Sequence, residues 1–298
     1  MTQIEDPDFH RFLDPGANRF TVLLDILAAR GLEPSTATLS GNRNIFVGPR
    51  RTSAAQQAET PQTVLVAHYD RVPGSPGAND NGASVFQLID AAGKLRFSGI
   101  PRWLVVFTDK EEAASSQGIR SQGSYSLAQG FIGLGLKDCR FFIFDACGRG
   151  DTLIVSTTVD QLLRRESGPG AMPARLAIQG LRSKALETGR RLCMAKLLLV
   201  PTPFSDDAGF FSAGLAAQTI TVLPESEAAI LAGALRQNPE RASSLIRQES
   251  PHSRVSTELQ TFWPKTWSLL NGPTDTIEQL TPSAFPLVAR FAQGLCTP

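Results

Sequence analysis

One histidine and several carboxylates stand where an α/β chain could use them together. His68 and Asp70 follow a short apolar run, Thr63-Val-Leu-Val-Ala67, and Asp80 follows a Pro/Gly-rich loop within Asn79-Asp80-Asn81-Gly82. Glu111 and Glu112 come just after a second run, Trp103–Thr108, and Asp145 directly after a third, Cys139–Phe144. Four or more carboxylates gathered in one crevice would repel and raise one another's pKa unless cations neutralised them. A bound divalent metal is the simplest resolution. Imidazole with carboxylates suits zinc, and oxygen-rich sets also admit manganese or magnesium.

Each group alone has a plainer reading. Asn79–Gly82 is a turn with a helix N-cap, Glu111-Glu112 a solvated pair, His68 a satisfied, partly buried histidine and Asp145 an anchor for a neighbouring loop. The joint pattern favours the metal, because each group stands where its strand should stop.

The apolar runs are the strands that must carry these groups. Thr63–Ala67, Trp103–Thr108 and Cys139–Phe144 are short and continuously apolar, like strands buried on both faces of a parallel sheet. Lys196–Val200 and Leu215–Leu223 read as a fourth and a fifth, and Thr36–Val47 as an outer strand pair turning at Gly41-Asn42. Helical spacing is found in Phe20–Leu32, in the segment after Gly82, in Leu176–Leu192, across 225–250 and, with Pro interruptions, in Asp275–Leu295. Residues 1–16 read as an irregular lead-in. The alternation predicts an α/β fold, a mostly parallel sheet covered on both faces, as one domain over 1–298. Ligands of such sheets bind beyond the carboxyl ends of the strands, which is where these groups fall.

The totals restrict the partners. The chain has 298 residues, 29 basic against 28 acidic, a formal net charge of +1 and no basic block, which argues against nucleic-acid or anionic-membrane partners. No apolar run approaches the roughly 20 residues of a membrane span. The start, MTQIEDPDFHRF, lacks the basic and apolar regions of a signal peptide. Cys139, Cys147, Cys193 and Cys296 show no close-paired spacing, so a cytoplasmic protein with reduced thiols is expected. Oligomeric state stays open.

Taken in order, HYD at His68, GANDNGAS at Gly77, FTDKEE at Phe107 with Gly123-Ser124 after it, IFDACG at Ile143, SDDAGFFSAGLAAQTI at Ser205 and NGPTDTIEQL at Asn271 resemble the M28 family of metallopeptidases, to which glutaminyl cyclases are related. The resemblance implies a three-layer α/β/α fold of the zinc-peptidase (phosphorylase/hydrolase-like) type with a mixed central sheet. It implies a metal-dependent exopeptidase, an aminopeptidase, that takes small peptide or aminoacyl substrates. His68 and Asp145 would hold one metal, Asp80 would bridge to a second, Glu112 would bind that second ion, and Glu111 would be the general base. Asp70 would fix the tautomer of His68, and the peptide bond after Asp80 is expected to be cis. Two ions about 3.5–4 Å apart would polarise the scissile carbonyl and lower the pKa of a water. Glu111 would carry that water's proton to the leaving amine.

Two stretches depart from the family. Where it has a motif like His-Thr-Pro-x-Asp-Thr, this chain has Asn271-Gly-Pro-Thr-Asp275-Thr276. Asn271 would then be the last ligand, through a neutral carbonyl oxygen that favours harder ions over zinc. Where the family has Ser-Asp-His, the chain has Ser205-Asp206-Asp207; these carboxylates either shape the substrate side or favour the first turn of a helix. A second histidine ligand would have to be His10 or His252, the two other histidines of the chain. The expectation is one Zn2+ tightly held by His68, Asp80 and Asp145, and a second ion that is weak, exchanged for Mn2+ or Co2+, or absent. The competing readings are a non-catalytic relative that binds a peptide or amino acid, and a glutaminyl-cyclase-like acyltransferase. The latter line keeps the terminal histidine and gives up the first, the reverse of this chain. Loops 113–124, 147–173 and 224–254 are expected to build the pocket. Phe204, Phe210, Phe211, Phe262, Trp263 and Trp267 either line an apolar subsite or belong to the core.

Overall fold

The computed structural model describes residues 3–49, 62–113, 117–164, 170–246 and 257–297. Eight strands form one sheet: β1 (Ser35–Leu39), β2 (Asn42–Val47), β3 (Thr63–His68), β4 (Trp103–Thr108), β5 (Arg140–Phe144), β6 (Thr152–Ser156), β7 (Leu197–Val200) and β8 (Ala217–Leu223). Their spatial order is β1-β2-β4-β3-β5-β8-β6-β7. The centre, β4-β3-β5-β8, is parallel. An antiparallel pair, β1 and β2, closes one edge, while β6 runs against β8 with β7 parallel beside it on the other.

The expected three-layer arrangement follows from the pleat. Successive side chains of a strand point to opposite faces, so Leu65 and Ala67 of β3 enter one apolar layer while Val64 and Val66 enter the other. The main helices are α1 (Pro7–Leu13), α2 (Arg19–Ala29), α3 (Ser84–Phe97), α4 (Gly123–Gly133), α5 (Ala171–Arg191), α6 (Asp206–Ser212), α7 (Glu225–Gln237) and α8 (Ala284–Cys296). The first layer takes Phe9, Phe12, Leu23, Phe86, Ile178 and Phe285 from α1, α2, α3, α5 and α8. The second takes Leu127, Phe131 and Phe210 from α4 and α6. A third cluster covers β6 and β8 with Leu231 of α7, Phe262 and Trp267. Phe210, Phe262 and Trp267 are therefore buried core.

Three local expectations are corrected. The lead-in contains a helix, α1, because Pro7 presets its first turn and the Asp6 carboxylate accepts from the Asp8 N–H. Thr152–Ser156, inside the expected loop 147–173, is a strand whose five residues are all buried; a run this short, between polar neighbours, carries little periodic signal. The 225–250 helix ends at Gln237, and a second short helix spans Arg241–Ile246. Among the described residues no helix is long and apolar enough to cross a membrane.

Candidate metal centre

Three neighbouring parallel strands deliver the site. His68 is the last residue of β3 and lies in register with Thr108, the last of β4. Glu111 and Glu112 therefore follow within one turn of the same sheet end. Asp145 follows Phe144 of β5, its N–H held by Ile220 O of β8 at 3.1 Å. Asp80 arrives on the loop from β3 to α3. His68 Nε2 lies 3.1 Å from Asp80 Oδ1 and 3.6 Å from Asp145 Oδ1. All three atoms are buried, yet among the described residues none finds a hydrogen-bond partner. Buried polar atoms are nearly always paired. Three unpaired lone pairs, one from imidazole nitrogen and two from carboxylate oxygen, aimed into a space under 4.8 Å across, match the donor set of zinc. The residues fit a cation.

The loop that brings Asp80 to His68 is fixed from four sides. Arg19, buried at the start of α2, donates to the carbonyls of Tyr69 (3.2 Å), Asp70 (3.3 Å), Pro76 (2.7 Å) and Gly77 (3.1 Å). Asp275, also buried, accepts the N–H of Asn79 on one oxygen (2.8 Å) and that of Asp80 on the other (3.0 Å). Asn79 Oδ1 accepts from Gly148 N (2.6 Å), and Asn81 Nδ2 donates to Phe144 O (2.8 Å). Gly77 sits at φ +60°, and a Cβ there would stand 2.7 Å from Asp80 O, so only glycine permits this path. The Asp80–Asn81 peptide is cis, as expected. α3 has no side-chain N-cap, which removes the capping account of this segment.

Glu111 and Glu112 are held by their backbone. Asp70 accepts the Glu111 N–H on Oδ1 (3.1 Å) and the Glu112 N–H on Oδ2 (3.2 Å). The same Oδ1 lies 3.3 Å from His68 Nδ1, without hydrogen-bond geometry. Asp70 thus holds the backbone of the acidic pair beside the imidazole, while the hydrogen bond to His68 expected of it is not formed. Glu111 Oε1 accepts from Gln122 Nε2 at 3.2 Å. Gly123 explains the Gly-Ser of the motif: a Cβ there would stand 1.8 Å from Asp109 O, so α4 can press against the Glu111 segment. Asn271, at φ +60°, brings its carboxamide to 2.8 Å from Glu112 Oε1, 3.2 Å from Glu112 Oε2 and 3.2 Å from Asp80 Oδ2.

Residues 50–172 match the sequence model of Peptidase family M28. The M28 resemblance holds. BSAP, a zinc aminopeptidase from Bacillus subtilis, superposes with a TM-score of 0.51 and 19% identity over 85% of this chain and 48% of its own. Porphyromonas gingivalis glutaminyl cyclase gives 0.64 and 16% over 99% and 98%, and the Legionella pneumophila aminopeptidase LapA 0.57 and 14% over 97% and 69%. The chain spans about half the length of the Bacillus chain. No curated protein matches by sequence. The structural likenesses show the M28-type fold, and with the family match they support a metallopeptidase-like function.

Set against that resemblance, the structure brings His68, Asp70, Asp80, Glu111, Glu112, Asp145 and Asn271 to one crevice. His10 is exposed on α1, and His252 lies outside the described residues. The acidic pair of α6 divides. Asp207 turns back to accept the Ser205 N–H at 3.0 Å, while Asp206 is fully buried with neither oxygen hydrogen-bonded. Arg19, Gln122 and Asp275 were missed. Asp275 lies inside the quoted NGPTDT stretch, but Arg19 reads only as a residue near a helix start.

The electrostatics show what the cluster lacks. Burial opposes charge on His68, yet Asp145, Asp70 and Asp80 raise its pKa well above the ordinary value. Burial and Asp145 raise Asp80. Asp145 is held low against its burial by His68, Ser205 and the Ala146 N–H. Glu112 is pushed up to about 9 by burial and Asp80, and Asp206 to about 7 chiefly by burial. Burial also raises Glu111 well above the usual range, with Glu112, Asp206 and Asp145 adding to it against His68. Among the described residues, the imidazole is the positive group that opposes the upward shifts of Asp80, Glu111, Glu112 and Asp206.

Proposed function

We propose that this chain is a zinc-dependent exopeptidase, an aminopeptidase trimming small peptides, with Glu111 as general base. The carrying observation is the set of three buried, unpaired donors on His68, Asp80 and Asp145 with Glu111 beside them. Bound there, zinc supplies Lewis-acid polarisation of a carbonyl and a lowered water pKa. Gln122 engages Glu111 Oε1, leaving Oε2 to take the proton of an attacking water and pass it to the departing amine. Asp70 holds the Glu111 and Glu112 backbone against the end of β3, so the base cannot drift from the imidazole. The aminopeptidase neighbours support the substrate class.

Aminoacyl-p-nitroanilides and short peptides, assayed with zinc, manganese or cobalt added, test the reading. Glu111→Gln should lower kcat by about 10²–10⁴ while zinc content holds. Full zinc occupancy with no turnover on a broad panel would replace the enzyme by a peptide-binding relative. A second reading rests on the near full-length match to the glutaminyl cyclase fold. Ammonia released from N-terminal glutaminyl peptides with the peptide bond intact would favour it.

A further inference from the structure

Asp80 presents its oxygens to two different corners. Oδ1 looks toward His68 and Asp145 and is unpaired. Oδ2 looks toward Asn271, whose carboxamide also spans both oxygens of Glu112, with separations of 2.8 and 3.2 Å to Glu112 and 3.2 Å to Asp80. All three neighbours are carboxylate oxygens. An amide oxygen at that point would face only lone pairs, whereas an amide nitrogen brings two hydrogens for them to share. The backbone fits this role, because Asn adopts the left-handed conformation found at Asn271 more readily than most residues.

We propose that the Asn271 amide nitrogen takes the place of a second cation, binding Glu112 to Asp80, and that the centre is thereby a one-zinc site. The inference rests on the zinc reading of the His68 corner and says what the neighbouring corner does instead. The bridge is neutral and built from the chain itself. To enter, zinc would have to break the hydrogen bonds of both amide hydrogens and turn the amide over. It would gain oxygen donors, one of them uncharged, since the His68 imidazole, although within 4.8 Å of a Glu112 oxygen, is already a donor of the neighbouring corner. The corner is closed by hydrogen bonds where its neighbour is open.

The test is zinc stoichiometry at equilibrium, by elemental analysis after dialysis at fixed free zinc, for wild type, N271H and N271D. Both substitutions tolerate a left-handed backbone, and circular dichroism confirms that each variant is folded. Wild type should hold one zinc per chain. N271H, which adds an imidazole and removes the bridge, should hold two, and N271D should gain a second site that prefers manganese. Two equally tight zincs in wild type would overturn the proposal and leave the peptidase reading standing. A folded N271H that stays at one would also overturn it. No zinc in wild type would remove both readings. Should N271H not fold, the wild-type count and N271D decide alone.

Discussion

The two corners that share Asp80 are built from the same kinds of group and end in opposite states. At the His68 corner an imidazole and two carboxylates converge, and among the described residues no donor reaches the atoms that face one another. At the Asn271 corner two carboxylates converge and an amide lies within 3.2 Å of three of their oxygens. Proximity of acids is common to both, so proximity alone does not mark a metal site. What differs is whether the chain supplies its own donor. A buried acceptor left without one is costly unless something from outside completes it, and that asymmetry is why the zinc is proposed at one corner and not the other.

The harshest test of the open corner is His68→Ala, which removes one of its three donors. Zinc affinity should fall by at least about 100-fold, the upper range for loss of groups that merely support a ligand, and hydrolysis should fall with it. Isothermal titration with zinc against wild type measures this. Wild-type affinity in the variant would show that the unpaired atoms do not define the site.

Asp275→Asn addresses how Asp80 is aimed at both corners. Asp275 accepts two consecutive N–H groups, one on each oxygen, and an amide of the same shape offers one acceptor in place of two. The variant should bind zinc about 10–100-fold more weakly while remaining folded. An unchanged zinc affinity would mean that the loop holds Asp80 without this clamp, leaving Arg19 as the principal fastening.

How far the sequence could carry the reader follows from the same distinction. Strand ends were legible because β3, β4 and β5 are continuous apolar runs that change polarity where they stop, and His68, Glu111, Glu112 and Asp145 stand at those changes. β6 was not, since five buried residues between polar neighbours have no length with which to show a period. α1 is announced only by Asp6-Pro7, a cap and a preset first turn with a helix of seven residues behind them. Arg19 lies 50 residues from the carbonyl of Tyr69 that it binds, and nothing local to it announces the contact. Asn271 was legible as a departure, but the direction its amide faces depends on three oxygens from two distant loops.

The smallest expected effect concerns a carboxylate closed by protein alone, outside the set of proposed zinc ligands. Glu227 of α7 accepts from Arg149 at 2.6 Å on Oε1, and from the Thr266 N–H and hydroxyl, each at 2.8 Å, on Oε2. Burial works against its charge, but Arg149 and Thr266 hold its pKa below the ordinary 4.5. A folded-state pKa depressed in this way contributes stability that is complete above the unfolded value and is lost as pH falls through the folded one. E227Q should therefore cost about 1.5–3 kcal/mol at neutral pH, and the gap from wild type should shrink as urea titrations move below about pH 4.5, the unfolded value. Zinc stoichiometry should not move. A loss of zinc in E227Q would show that closed carboxylates elsewhere in the sheet also govern the metal, and the contrast between open and closed corners would have to be replaced by a property of the whole fold.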